Sequence, residues 1–458
     1  MGRLIVISNR VALPSGARAP GGLAVGLYDA LRDSGGMWLG WNGEIAGPDA
    51  DGALSTVTRD NITYATFPLA QHDYDCYYRG FSNAVLWPVF HYRPDLARYR
   101  RADHEGYLRV NREFAQRLAP MLRPDDVVWV HDYHLLALGR YCRDLGVRNR
   151  IGFFLHIPFP AAEVFRTIPP HQALAQAMCA YDVVGFQTDT DAEAFSDYCE
   201  KHLRTGREAG GLRMPERRLR VGTYPIGIDV DDVAAMAGKK GSSQEVALKL
   251  GLADRKLIIS IDRLDYSKGL LERFAAFEQL LEIEPDHGSH VSFVQLAQSS
   301  RSDVQGYREI RRELDRAAGR INGKWGELGW APLRYINRSY ARATLMPLMR
   351  ASQVGLVTPL RDGMNLVAKE YVAAQPPDDP GVLVLSQFAG AAREMRDAAL
   401  IVNPYDTEGM ALALDQALRM PLAERVERHR SLLQGLRTHD LAAWKNRFLA
   451  DLRAPAKR

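Results

Sequence analysis

Arg263 and Lys268 stand five residues apart in IDRLDYSKGLLERF, where an apolar run gives way to an amphipathic one, and Gly269 follows directly. Two cations leaving a strand end beside a helix start make an anion site, because free N–H groups and the helix dipole add to the side-chain charge. The competing reading is an exposed basic turn. A second turn of this kind lies in VTPLRDGMNLVAKEYVAA, residues 357–374. Its strand ends at Pro359, Gly363 permits a tight backbone path, and a helix begins near Asn365. Glu370 then falls about a turn inside the helix, where a carboxylate can accept from the paired hydroxyls of a ribose, and Asp362 sits where it can face a sugar hydroxyl. An ordinary cap by Asp362 or Asn365, with Glu370 a solvated charge, explains the same residues.

Further polar residues lie at other strand ends. VVWVHDYHLL (127–136) and FFLHIPFP (153–160) set Asp132 and His156 just past two apolar runs, where ligands collect in α/β sheets. His131, His134, His156 and Asp132 together suggest a metal, but H-x-x-H across a strand end is not the spacing of a helical zinc motif. Capping by Asp132 and a satisfied core histidine are the plainer readings. In YYRGFSNAVLWP (77–88), Tyr78 and Trp87 can form a platform under a sugar ring or simply belong to the core. Arg301 follows the run VSFVQL (291–296) and is either an anion ligand or a surface arginine. Near the start, SNRVALPSGARAPGGLAVGL (8–27) carries Arg10 and the pair Gly21-Gly22, which can bring backbone N–H groups up to a phosphate or merely punctuate a turn. Two D-x-D triplets, at 73–75 and 189–191, are short enough to arise by chance. No G-x-x-x-x-G-K-[ST] occurs and GGLAVG lacks the G-x-G-x-x-G spacing, so ATPase and nicotinamide chemistries are not indicated.

The elements that must position these residues are short Val- and Ile-rich runs: LIVIS, DVVWV, IGFFL, VVGF, LRVGTY, LIISI, VSFVQL, VGLVTP, VLVLS and LIV. Unalternating runs of this length read as parallel strands covered on both faces, and LLERFAAFEQLLEI (270–283) has helical spacing. The expected class is α/β, doubly wound, with about five strands in each half. The small and charged stretch 229–245 reads as a linker, and HDLAAWKNRFLADLRA (439–454) as one more amphipathic helix. A chain of 458 residues with 46% hydrophobic composition can bury two cores. Net charge of +4, dispersed among acidic residues, does not indicate nucleic acid. Four cysteines without C-x-x-C spacing indicate neither zinc nor a disulfide framework, and a reducing cytoplasm fits. No signal-peptide pattern and no apolar run of 18 residues is present, so neither export nor a membrane partner is expected.

The blocks SNR…GGL, YYRGFSNAVLWP, VHDYHLL, GFFLHIPFP, RLDYSKGLLER, RINGKWGELGW and TPLRDGMNLVAKEYVAAQ, spread over residues 3–452, resemble the trehalose-6-phosphate synthase family, retaining glucosyltransferases of glycosyltransferase family 20. The resemblance implies the glycosyltransferase-B fold: two Rossmann-like domains facing across a cleft, at 1–229 for the acceptor and 230–438 for the nucleotide sugar, with a terminal helix, 439–458, crossing back. It implies UDP-glucose, or GDP-glucose, as donor and glucose 6-phosphate as acceptor, with no metal and no cofactor. Arg263 and Lys268 would hold the diphosphate, Gly21 and Gly22 approach the donor, and Glu370 bind its ribose. The turn Asp362, Gly363, Met364, Asn365, Leu366 and Val367 would hold glucose and diphosphate, and Tyr340 contact the base. Arg10, Tyr78 and Arg301 would grip the acceptor phosphate, Asp132 its sugar hydroxyls, and Trp87 shape that side. His156 would lie beside the donor sugar. Catalysis would rest on Asp132, His156, Arg263, Lys268 and Asp362, through an oxocarbenium-like state without an enzymic nucleophile. The resemblance also implies a homo-oligomer, a dimer or tetramer, whose product is dephosphorylated elsewhere. A nitrogen-coupling pseudo-glycosyltransferase and a silent sugar-phosphate sensor are the alternatives on the same fold.

Overall fold

The computed structural model describes residues 2–11, 27–28, 31, 35–47, 52–215, 217–239, 255–298 and 305–454. The chain divides into two compact units: one runs up to Pro225 and resumes at Trp444, and the other spans Ile226–Ala443.

The first unit is built on ten strands: β1 (Leu4–Arg10), β2 (Gly36–Ala46), β3 (Ser55–Arg59), β4 (Ile62–Ala70), β5 (Val127–His131), β6 (Arg150–Phe154), β7 (Val183–Phe186), β8 (Gly206–Glu208), β9 (Gly211–Arg213) and β10 (Arg218–Thr223). They lie in the order 3-4-2-1-5-6-7-10-9-8. The block from β4 to β10 is parallel, with β3 antiparallel at one edge and the β8–β9 pair antiparallel at the other. Every residue of β5 and β7 is buried, as expected of Val-rich strands covered on both faces.

The second unit carries six parallel strands: β11 (Lys256–Arg263), β12 (Val291–Gln298), β13 (Leu333–Ile336), β14 (Val354–Val357), β15 (Val382–Ser386) and β16 (Leu400–Val402). Their order, 13-12-11-14-15-16, is the doubly wound dinucleotide-binding arrangement, with its topological switch between β11 and β14. Helix Leu270–Ile283 buries Phe274, Phe277 and Leu280 in the core beside β11 and β12.

Sixteen described strands replace the ten apolar runs. β2, β3, β4, β8, β9 and β13 add to them, so the halves hold ten and six strands, not about five each. The stretch read as a linker instead forms the helix Val230–Ala237, whose N-terminus is capped by Asp229 Oδ1 accepting from the Asp232 N–H at 2.9 Å. Its remainder, 240–245, lies outside the described residues.

The helix at the end of the chain spans Leu441–Arg453. Its Phe448 is fully buried and stacks on Trp129 of β5, ring centroids 4.8 Å apart and planes at 14°. Two glycines make room for it: a Cβ on Gly152 of β6 or Gly185 of β7 would stand 2.9 or 2.8 Å from the Phe448 ring. The glycines in IGFFL and VVGF therefore serve close helix–sheet approach.

Candidate active site

In the second unit the switch point is where charged side chains meet. β11 ends at the exposed Arg263, the tight turn Tyr266–Lys268 follows, and Gly269 opens the helix. Gly269 has φ +68°, and a Cβ there would lie 2.3 Å from the Thr358 carbonyl oxygen. Only glycine fits on both counts. The turn is tied across the switch by the Leu360 N–H donating to the Ser267 carbonyl at 2.8 Å. Lys268 Nζ lies 2.5 Å from Asp362 Oδ2, with side-chain exposures of 10% and 15%, so the pair is largely withdrawn from water yet reachable. Asn365 Nδ2 donates to the same Asp362 oxygen at 3.0 Å, while Asn365 Oδ1 caps the helix Leu366–Ala374 at the Ala368 N–H. One asparagine thus both caps the helix and fixes the acid. Gly363 and Met364 are buried in a turn braced by the Gly390 N–H on the Asp362 carbonyl and the Ala391 N–H on the Met364 carbonyl. Leu366 and Val367 form the first turn of the helix, where backbone N–H groups have no intrahelical partner.

Glu370 is not a solvated charge. Its side chain is 13% exposed, and Arg342 Nη2 donates to its Oε1 at 2.9 Å. Burial pushes its carboxyl above the ordinary range, against the pull of the Arg342 guanidinium. Tyr340, two residues before Arg342, is 42% exposed.

In the first unit the strand order reverses between β1 and β5; Arg10 ends β1 and Asp132 follows β5. The Arg10 guanidinium lies 5.8 Å from the Trp41 ring centroid. Trp41 in turn packs 6.0 Å from Tyr78, which stacks on His134 at 5.7 Å and 8°. Tyr78 belongs to Tyr74–Leu86, a helix wound as a π-helix, a rare form that recurs at functional sites. Asp132 adopts φ +75° and ψ 166°, a region nearly confined to glycine. Its N–H donates to the Phe154 carbonyl at 2.8 Å, and its Oδ1 accepts from the His156 N–H at 3.3 Å. Trp87 is 3% exposed, packed 4.1 Å from His91 and 5.6 Å from Tyr133. His156 lies beside His131, with Nε2 and Nδ1 3.0 Å apart. Burial pushes His156 down to about 3 and His131 well below its usual value, so both are neutral at physiological pH.

The sequence-derived residues therefore fall into two groups. Arg263, Lys268, Tyr340, Asp362 to Val367 and Glu370 belong to the second unit. Arg10, Tyr78, Trp87, Asp132 and His156 belong to the first. Gly21, Gly22 and Arg301 lie outside the described residues, as does most of the 8–27 loop. Three of the four D-x-D acids are engaged within the protein: Asp73 accepts from Arg109, Asp75 from Gln71 and Arg79, and Asp191 from Thr188 and the Phe159 N–H. Among the described residues, no group of His, Cys, Asp and Glu is arranged to hold a metal.

Two supporting residues escaped the sequence reading. Arg273 is fully buried, pairs with Asp262, and donates to Thr358 Oγ1 at 2.9 Å and to the Lys268 carbonyl at 2.7 Å, so it ties both sides of the switch to the lysine turn. The signal was present as an arginine inside the apolar repeat of LLERFAAF. Arg342 left no comparable mark in the sequence.

Comparison with known proteins bears on this geometry. Residues 14–454 match the profile of glycosyltransferase family 20. The trehalose-6-phosphate synthase of Cronobacter sakazakii is 53% identical over 456 residues, 99% of this chain and 95% of that protein. An α,α-trehalose-phosphate synthase (UDP-forming) from Burkholderia xenovorans, solved in complex with glucose-6-phosphate, is similar with a TM-score of 0.94 and 52% identity, over 99% of this chain and all (100%) of that one. An E. coli structure described as trehalose-6-phosphate bound with UDP-2-fluoro glucose aligns with a TM-score of 0.95 and 50% identity over 100% of both chains.

Proposed function

This chain belongs to glycosyltransferase family 20, and we propose that it transfers glucose with retention from UDP-glucose to glucose 6-phosphate, giving α,α-trehalose 6-phosphate. The observation that carries the reading is the Lys268–Asp362 pair at the switch between β11 and β14, beside the first turn of the helix Leu366–Ala374. A departing nucleoside diphosphate gains negative charge as the glycosidic bond breaks. A lysine ammonium and unpartnered helix N–H groups supply positive charge where that charge develops. Arg263, exposed at the end of β11, adds a second cation. Asp362, fixed by Lys268 and Asn365, offers its carboxylate to glucose hydroxyls. Glu370, held by Arg342, presents carboxylate oxygens to the ribose hydroxyls.

Acceptor recognition is assigned to Arg10 and Tyr78, for the phosphate, and to Asp132, for the sugar hydroxyls. The new bond forms on the face the nucleotide leaves, and the departing phosphate oxygen takes the acceptor proton. Acceleration then comes from positioning and charge stabilisation, with no covalent enzyme intermediate. Uridine is preferred over guanosine because the relatives are described as UDP-forming or bound with a UDP sugar. Incubation with UDP-glucose and with GDP-glucose, each with glucose 6-phosphate, is expected to release UDP and the phosphorylated disaccharide from the first pair, in EDTA as well as without it. Release of neither nucleotide sinks the reading, and UDP release lost in EDTA removes the metal-free form of it.

A further inference from the structure

His131 ends β5 with no exposure at all, its ring 4.6 Å from Trp129, 6.4 Å from Phe154 and 6.4 Å from Trp444. The one described hydrogen bond of its ring joins Nδ1 to His156 Nε2, and its Nε2 is buried with no partner among the described residues. A neutral imidazole carries one N–H. Placed on Nε2 of His131, that hydrogen would be an orphaned buried donor; placed on Nδ1, it leaves only an unused lone pair. The second arrangement costs less. His131 Nδ1–H therefore donates to His156 Nε2, and His156, whose Nε2 is thereby an acceptor, must carry its own hydrogen on Nδ1. Both rings are held neutral by burial, which removes the doubly protonated alternative.

We infer that His131 is a positioning residue that locks His156 in the Nδ1–H tautomer, so that this half-buried ring presents a fixed donor to a substrate oxygen. The same turn serves both polar groups, because the His156 N–H is bonded to Asp132 Oδ1. The catalytic consequence rests on the glucosyltransferase reading above; the proton arrangement does not. A wrong tautomer at a fixed ring presents a lone pair where a donor is required and turns an attraction into a repulsion.

The test is long-range 1H–15N spectroscopy of protein labelled at histidine, recorded without substrate, on the wild type and on His131→Leu and His131→Asn. The wild type should show Nδ1–H for both rings. Leucine removes the donor, so His156 should shift toward Nε2–H, and kcat/KM for UDP-glucose should fall about tenfold, the worth of one hydrogen bond. Asparagine places an amide N–H near the former Nδ1 and should restore both the tautomer and most of the rate. An Nε2–H signal from His156 in the wild type overturns the inference even if neither variant folds, as does a His131→Leu protein that keeps both tautomer and rate. Expected spectra from a wild type that turns over neither nucleotide-glucose would overturn the functional reading while upholding the proton arrangement.

Discussion

Asp132 spends backbone energy to keep a carboxylate where it is. At φ +75° and ψ 166° a residue with a Cβ carries about 1–3 kcal/mol of strain, which persists only when surrounding contacts over-determine it. Those contacts are the Asp132 N–H on the Phe154 carbonyl and the His156 N–H on Asp132 Oδ1. A glycine would sit there without strain and without a carboxylate. Asp132→Gly should therefore be more stable than Asp132→Ala by about 1–2 kcal/mol in urea unfolding, while both lose most of their turnover of glucose 6-phosphate. Equal stability of the two variants would mean that the backbone relaxes and the strain is not held by the fold. Lys268 is the converse case, a residue whose proposed role is its charge. Lys268→Ala leaves Asp362 with the Asn365 amide as partner, so the variant should fold, yet its kcat should fall about 100- to 1000-fold with weaker UDP binding in calorimetry. A purified, folded variant with near wild-type kcat would remove Lys268 from the reaction.

At the scale of elements, the two turns at the β11–β14 switch work as one piece because glycine lets them touch. In Gly269→Ala the new methyl would have to occupy space 2.3 Å from the Thr358 carbonyl in a left-handed conformation, so the Lys268 turn must move away from β14. The expected loss is about 2 kcal/mol or more of stability, together with the activity, and thermal unfolding alongside UDP binding checks it. Unchanged UDP affinity would show that the turn is not held by this approach. Such turns were legible in the sequence because Gly, Asn and Asp at a strand end have few other uses. The helix Leu270–Ile283 was legible from its period alone. Strands β2, β4 and β13 were not: β2 carries Gly40, Gly43 and polar Asn42, β4 is interrupted by Thr63 and Thr66 and contains Pro68, and β13 is a four-residue edge strand with an arginine. None of these is the continuous apolar run of a strand covered on both faces, and it is their pairing that makes them strands. The site divides likewise. Residues past strand ends, such as Asp132 and Lys268, are marked as candidates by position. Arg273, Arg342 and the proton held by His131 depend on what packs against them, which no local spacing encodes.

Over the whole molecule, buried ionisable groups are distributed unequally between the units, and acid should act on them unequally. In the first unit His131 and His156 are pushed far down by burial, and His104 and His171 are lowered for the same reason. In the second, among the described residues, His429 is the histidine lowered by burial, while burial raises Glu370. A histidine depressed in the folded state binds its proton first when unfolded. Its contribution to stability is therefore full above the unfolded value of about 6.5 and is lost as pH falls toward the folded one. Each such group approaches a slope of about 1.4 kcal/mol per pH unit once the unfolded histidine is fully protonated, so His131 and His156 together contribute on the order of 2 kcal/mol between pH 6 and pH 5. Glu370 has the opposite sign, since a carboxyl raised by burial takes up its proton more readily when folded and gains stability as pH falls. Urea titrations at pH 7, 6 and 5, followed by hydrogen-exchange pulses at one fixed pH and read peptide by peptide, should show the midpoint of the first unit falling further than that of the second. The His131–His156 strand ends should report this, because β5 and β6 are covered there by Trp444 and Phe448 and exchange reads the loss of that cover. Parallel shifts in both units would mean that the two histidines are not held neutral by the fold, and the donor assigned to His156 would lose its support as well.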